Sequence, residues 1–231
     1  MIISHEHKFI FLKTRKTAGT SIEIALSRFC GEEDMITPIG REDKLRENLS
    51  PRGAQNFQYA AEDGRNSQGE RQISCYNHMP AKRVRDLIGT KIWDEYFKFC
   101  FERNPWDKAI SMYFWRTRKR EPRPLSLLEF LRSENDKNEM PNGKGSKLSN
   151  FGIYSIGGDL AVDHVGLYED LDSELERIVT LLNVPEKIEL PRAWGTHRED
   201  RRHYREIMGQ EERSIVARIC AREIVHFGYR F

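Results

Sequence analysis

The sequence predicts an α/β domain of three layers, with a mostly parallel central sheet flanked by helices. Three observations carry that expectation. At residues 8–29 and again at 97–115, a short apolar run passes through a tight polar turn into a helical pattern. A third unit of the same kind spans residues 162–182. Apolar residues make up 38% of the chain in short, separated runs, enough for one core and too many for wholesale disorder.

The 231 residues read as a single domain, 1–231, with irregular stretches at about 31–72 and 117–150. Basic residues number 38 and acidic residues 36, a net charge of +2, so overall charge does not point to nucleic acid. Cys30, Cys75, Cys100 and Cys220 form no C-x-x-C pair, which signals neither a zinc site nor a disulfide scaffold and suits a reducing compartment. No signal peptide or bilayer-length apolar stretch is visible. With Met1 as the natural start, a cytoplasmic location is expected.

Lys8–Leu12 reads as a buried strand and Ile22–Phe29 as a helix, with Ile22, Ala25, Leu26 and Phe29 on one face. Between them stands Lys13-Thr14-Arg15-Lys16-Thr17-Ala18-Gly19-Thr20-Ser21. A strand, a tight turn and a helix start form a phosphate cradle, because free backbone N–H groups and the helix dipole both favour an anion. Lys16 supplies charge, Thr17, Thr20 and Ser21 supply hydroxyls, and Gly19 lets the backbone approach a ligand. The alternative is a Thr/Ser-rich helix start with an incidental lysine. The ATPase loop, G-x-x-x-x-G-K-[ST], has its lysine after the second glycine, whereas here the lysine comes first.

Residues 31–72 are polar, irregular and too long for a simple connection, and read either as an insertion that binds something or is mobile, or as a solvated excursion with a short helix near 41–49. Gln72–Tyr76 reads as a strand and Ala81–Ile88 as a helix ended by Gly89. That places His78 where a strand hands over to a helix, on the sheet edge that carries the Lys16 loop. Phe97–Phe101 reads as a central strand. Asn104 then suits a helix cap and Pro105 the first helical position, and the helix runs to Trp115. This makes a second anion-ready junction, with Arg103 just before the cap and Ser111 eight residues after Arg103. Each residue also has a structural reading, Arg103 as a carbonyl or carboxylate partner and Ser111 as a small packing residue.

The run Arg116–Arg123 holds five basic residues in eight and is read as a solvated face, or else as an attractor for an acidic acceptor. Leu125–Leu131 reads as a helix capped by Ser126, and residues 133–150 as a mobile polar loop carrying Lys144 and Lys147. Val162–Tyr168 reads as a strand and Asp170–Leu182 as an amphipathic helix, with Glu169 a cap or ion-pair partner between them. A last helix is expected at about 210–226.

The order Lys-Thr-Ala-Gly-Thr-Ser resembles the loop of sulfotransferases that grips the 5′-phosphosulfate of 3′-phosphoadenosine 5′-phosphosulfate (PAPS). Arg103-Asn104-Pro105-Trp106-Asp107-Lys108-Ala109-Ile110-Ser111 resembles their 3′-phosphate motif, with Lys108 where arginine is common. His78-Met79-Pro80, Val165–Leu171 and Phe227-Gly228-Tyr229 look like the branch containing carbohydrate sulfotransferases. The resemblance implies a P-loop-like fold and sulfuryl transfer from PAPS to a hydroxyl or amine, with release of 3′-phosphoadenosine 5′-phosphate (PAP). The acceptor would be a saccharide or glycoconjugate, and no metal is implied.

Residues 15–21 would then hold the 5′-phosphosulfate, and Arg103 and Ser111 the 3′-phosphate. Lys16 would also stabilise leaving-group charge. His78 would be the base, with Glu42 or Asp43 as alternatives. By the same resemblance Thr196 and Arg198 would lie in a segment that closes over the cofactor. Two other classes stand beside this one, and a nucleic-acid binder, which rests only on the 116–123 run and predicts steeply salt-dependent binding, is a weaker third. A P-loop nucleotide kinase predicts dependence on ATP and Mg²⁺. A non-catalytic nucleotide-binding protein predicts binding without turnover.

Overall fold

The computed structural model describes residues 1–61, 71–118, 125–140, 145–184, 188–191 and 200–231. Its elements in chain order begin with β1 (Ile2–Ser4), β2 (Phe9–Phe11), α1 (Gly19–Ser27), β3 (Met35–Ile36) and α2 (Asp43–Leu49). There follow β4 (Gln58–Ala61), β5 (Arg71–Ser74), α3 (Ala81–Glu95), β6 (Phe97–Glu102), α4 (Pro105–Thr117) and α5 (Leu127–Glu139). The remainder is α6 (Phe151–Tyr154), β7 (Ser155–Ile156), β8 (Asp159–Leu160), β9 (His164–Leu167), α7 (Leu171–Leu181), α8 (Tyr204–Ile207), α9 (Gln210–Ile219) and α10 (Ala221–Phe227).

The central sheet has five strands in the order β3-β1-β2-β6-β9. Alternation along the strands gives it two apolar faces. Phe9, Phe11, Phe99 and Phe101 point to one face, against Ile22, Ala25 and Leu26 of α1 and Leu175 and Ile178 of α7. Ile10, Leu12 and Cys100 point to the other, against Val84 and Trp93 of α3 and against Tyr154. The rings on the first face pack closely, with Phe11 and Phe99 5.3 Å apart. A third cluster joins Trp106, Ile110 and Met112 of α4 to Phe130 and Leu131 of α5 and to Ile215, Val216 and Ile219 of α9.

The expectation of a mostly parallel sheet needs correction, because the sheet is mixed. β2–β6 and β6–β9 pair in parallel, but β1 pairs antiparallel with both β2 and β3. Asp34 builds the turn that folds β1 back onto β2, accepting hydrogen bonds from the Ser4 hydroxyl (2.7 Å) and the His5 amide (2.6 Å).

Four further expectations change. The strand before His78 does not enter the central sheet, since β5 pairs only with β4, in a separate two-stranded ribbon. Gly89 does break its helix, at φ 81° and ψ 156°, but the chain turns helical again and runs to Glu95. Residues 133–150 are not a polar loop in their described part. The Ser126–Glu129 capping box starts a helix that continues to Glu139, and Glu134, Ser146, Leu148 and Asn150 are buried. The helix expected at 210–226 is two helices, α9 and α10, separated at Cys220. The irregular stretch after α1 holds β3, a 3-10 turn over Gly40–Glu42 and α2, anchored by the fully buried Arg46, which donates to the Thr37 carbonyl (3.2 Å). Among the described residues no helix is long and apolar enough to cross a membrane.

Candidate active site

The parallel strands β2, β6 and β9 all end at one edge, where α/β sheets present their ligand-binding turns. β2 leads into the Lys13–Ala18 turn and α1. Lys16 (φ 63°) and Ala18 (φ 58°) are both left-handed, and they bend the chain sharply ahead of the helix. Ala18 stands at the N-cap position and no side chain caps α1, so the first-turn amides are not taken up by a capping side chain. A Cβ on Gly19 would come within 2.8 Å of Lys13 Cγ and 3.3 Å of the Thr14 carbonyl oxygen, so the turn closes only around glycine. Thr17 is buried and its hydroxyl meets that of Thr14 at 2.8 Å. Thr20 and Ser21 are half-buried in the first turn of α1.

Lys13 and Lys16 have different roles. Lys13 turns inward and pairs with Glu23 of α1 at 2.9 Å. Burial alone would raise the Glu23 pKa, but Lys13 and the Met1 amino group outweigh it and hold the carboxyl below its ordinary value. The Lys16 ammonium has no ion-pair partner among the described residues and lies 5.7 Å from the Trp115 ring centroid. Burial first, then the charges of Arg103 and Arg118, lower its pKa to about 8. Arg15 is likewise lowered, by burial and then by Arg116. This concentration of under-compensated positive charge suits an anion.

Three successive loop residues are tied to β6, to the residue after it and to Asn150. The Thr14 hydroxyl donates to the Phe101 carbonyl. Arg15 is gripped by Asn150, which accepts from the Arg15 amide (2.9 Å) and donates to its carbonyl (3.1 Å) while reaching Glu102 at 3.3 Å. The Lys16 carbonyl accepts from Arg103 Nη1 at 3.1 Å.

At the second junction Asn104 caps the helix, as its position in the sequence leads one to expect. Asn104 Oδ1 takes the amides of Trp106 (3.1 Å) and Asp107 (3.3 Å), so the N-terminus of α4 is capped rather than open. The groups left to meet a ligand there are side chains, and Arg103 also serves as the carbonyl and carboxylate partner of its structural reading. Arg103 lies 4.0 Å from the Tyr168 ring centroid and bonds to Asp107 through Nε (2.9 Å) and Nη2. With the bond to Lys16, that uses three of the five N–H donors of a guanidinium and leaves two. Ser111 is half-buried one face along α4, with no hydrogen-bond partner among the described residues. Glu169, in the 3-10 turn Tyr168–Asp170 that follows β9, is a strut, accepting from the Asn104 amide (2.7 Å) and the Tyr229 hydroxyl (3.3 Å).

His78 reaches the site without a central strand behind it. It is left-handed (φ 65°) and its Nδ1 lies 3.0 Å from the Lys13 carbonyl. A carbonyl only accepts, so Nδ1 carries the hydrogen and Nε2 keeps a lone pair. Burial, then Arg15 and Lys13, push its pKa down to about 3. Asp43, one alternative base, is occupied by the Ile39 and Gly40 amides (3.0 and 2.9 Å) and by Arg46. Lys147 is exposed. Lys144, Thr196 and Arg198 lie outside the described residues. Among the described residues no group of three or more His, Cys, Asp or Glu gathers as a metal site would require.

Sequence reasoning missed Asn150, Glu102 and the inward role of Lys108. Lys108 is fully buried and pairs with Glu102 at 2.7 Å and Glu223 at 3.9 Å. The one available signal was a lysine in a helix whose neighbours Ala109 and Ile110 are apolar.

Cationic turns at the ends of adjacent parallel strands are the arrangement by which α/β proteins take up phosphate-like anions. The chain belongs to the sulfotransferase family, whose profile matches residues 1–230. It is also 32% identical over 114 residues to an uncharacterized protein of Archaeoglobus fulgidus, a match covering 48% of this chain and 88% of that one. No solved structure matches the chain.

Proposed function

We propose that the protein transfers a sulfuryl group from PAPS to a hydroxyl or amine of a saccharide or glycoconjugate, and that residues 1–231 act as one sulfotransferase unit with its acceptor side at about 31–72 and 117–150. The observation that carries the reading is the join between the two cationic turns. Arg103 bonds the Lys16 carbonyl, so the turn proposed for one phosphate touches the turn proposed for the other. A 5′-phosphosulfate with a 3′-phosphate needs such a pair.

The donor set fits that group. Arg15, Lys16, Thr17, Ala18, Gly19, Thr20 and Ser21 would hold the 5′ end, and Arg103 and Ser111 the 3′-phosphate. Thr196 and Arg198 are proposed to close over it. When bound, PAPS supplies a sulfuryl group on a phosphate leaving group. Lys16 would balance the negative charge that grows on the leaving side, in a site where burial strengthens the interaction. His78 would accept the acceptor's proton at Nε2, its ring held by the Lys13 carbonyl. A bound anion offsets the Arg15 and Lys13 charges, and so raises the base strength of His78 from its low value in the free protein.

The test is a titration with PAP, and with ADP plus Mg²⁺, following thermal stability. PAP should raise the midpoint, and Arg103→Ala should remove most of that rise. A rise with ADP and Mg²⁺ alone would replace this reading with a kinase. His78→Asn keeps a residue that tolerates the left-handed backbone. It should leave PAP binding intact and slow transfer about a hundredfold, the low end for acid–base catalysis because the base is weak. Unchanged turnover would remove His78 from the mechanism.

A further inference from the structure

We infer that Asn150 is a positioning residue for the donor loop, and that through Glu102 one buried polar cluster sets that loop and the Arg103 junction together. The inference rests on the donor-site reading above.

The Arg15 peptide sits where the chain leaves β2, and its two backbone polar groups need partners. An asparagine side chain offers an acceptor and a donor side by side, so it can satisfy both at once, as a neighbouring strand would. Asn150 does this at 2.9 and 3.1 Å. Its orientation is forced, because Nδ2 faces two acceptors, the Arg15 carbonyl and Glu102 Oε1, while Oδ1 faces an N–H. Asn150 is itself fixed through its own amide, which donates to Glu223 at 2.8 Å.

Glu102 Oε1 also accepts from the Arg103 amide (2.9 Å) and Lys108 (2.7 Å), and Oε2 from the Tyr154 hydroxyl (2.9 Å). One carboxylate therefore sits behind both cationic turns. It fixes Arg103 through the backbone and Arg15 through Asn150. A change at Asn150 frees the Arg15 backbone just before Lys16 while removing none of the side chains proposed to touch the donor.

The experiment compares Asn150→Ala, and the milder Asn150→Ser, with Tyr154→Phe. Tyr154→Phe removes a bond from the same carboxylate without touching the loop, so it serves as the control for general softening. Amide hydrogen exchange across residues 13–18 is followed without ligand, and PAP affinity is measured by calorimetry. The Asn150 variants should exchange faster in the loop and bind PAP about 10- to 100-fold more weakly. Tyr154→Phe should lose stability yet bind PAP within about twofold of wild type. Unchanged loop exchange in the Asn150 variants overturns the inference, as does faster exchange with unchanged affinity. An equal loss of affinity in Tyr154→Phe overturns it too. If the wild type binds no PAP, the donor reading fails, and the exchange comparison still decides whether Asn150 sets the loop.

Discussion

Lys16→Met is expected to slow sulfuryl transfer about a thousandfold while leaving the folded state nearly as stable as before. The rate loss follows from removing a charge proposed to face the leaving side within a partly water-excluded turn, where single stabilising donors are worth about 10²–10³ in rate. Stability is spared because the Lys16 ammonium has no ion-pair partner among the described residues, and its pKa is depressed by burial and by its cationic neighbours. Folding therefore costs this charge something, and methionine lifts that cost.

The same depression sets a pH dependence. Lys16 loses its proton near pH 8 in the free protein, so PAP affinity should fall as pH rises through about 8. Lys16→Arg should flatten that fall, because arginine keeps its charge. Turnover from PAPS and PAP titrations at pH 7, 8 and 9 read both effects. A Lys16→Met enzyme within tenfold of wild type would leave the mechanism without its principal charge.

Lys108→Met carries the largest expected stability effect. Lys108 is fully buried with Glu102 and Glu223, and burial would by itself lower its pKa. The Glu102 charge, ahead of Cys220 and Glu223, outweighs burial and holds the pKa above its ordinary value, so the ammonium is retained at neutral pH. Taking away one partner of such a pair leaves a buried carboxylate uncompensated, at about 3–5 kcal/mol. At this chain length that is a fall in melting temperature of about 10 °C or more. Denaturant unfolding measures it directly. Adding Glu102→Gln to Lys108→Met should recover part of the loss, since the Glu102 charge is then gone as well and only that of Glu223 stays. A Lys108→Met protein within about 1 kcal/mol of wild type would mean that the cluster is neutral or wet.

The junctions around Lys16 and Arg103 were legible because their structure is local, a strand, a turn and a helix start within a short window. β6, α4 and α7 were legible for the same reason, through runs of aromatic and apolar residues at clear spacing. What was missed depends on distance in sequence. Asn150 meets Arg15 across 135 positions and Glu102 across 48, and nothing in the window around Asn150 announces either partner. Polar composition also misled. Glu134 looks like a loop residue, but Lys137 and Ser146 satisfy it, and that lets a helix and its return segment pack inside. β1 spans three residues, too few for alternation to be visible, and so the antiparallel half of the sheet left no mark. The strand before His78 was recognised as a strand, but its partner is β4 rather than the sheet.

The left-handed backbone at Lys16, Ala18 and His78 has a consequence for how such a protein tolerates heat. Among the described residues six non-glycine positions adopt positive φ, and these three lie in or beside the same turn system. Each holds a conformation that costs an L-residue about 1–2 kcal/mol relative to glycine. A lineage or a laboratory screen selecting only for thermal endurance would find glycine at position 18 rewarding. It would thereby trade a stiff anion cradle for a supple one. The turn is a place where robustness and turnover pull on the same few dihedral angles from opposite sides.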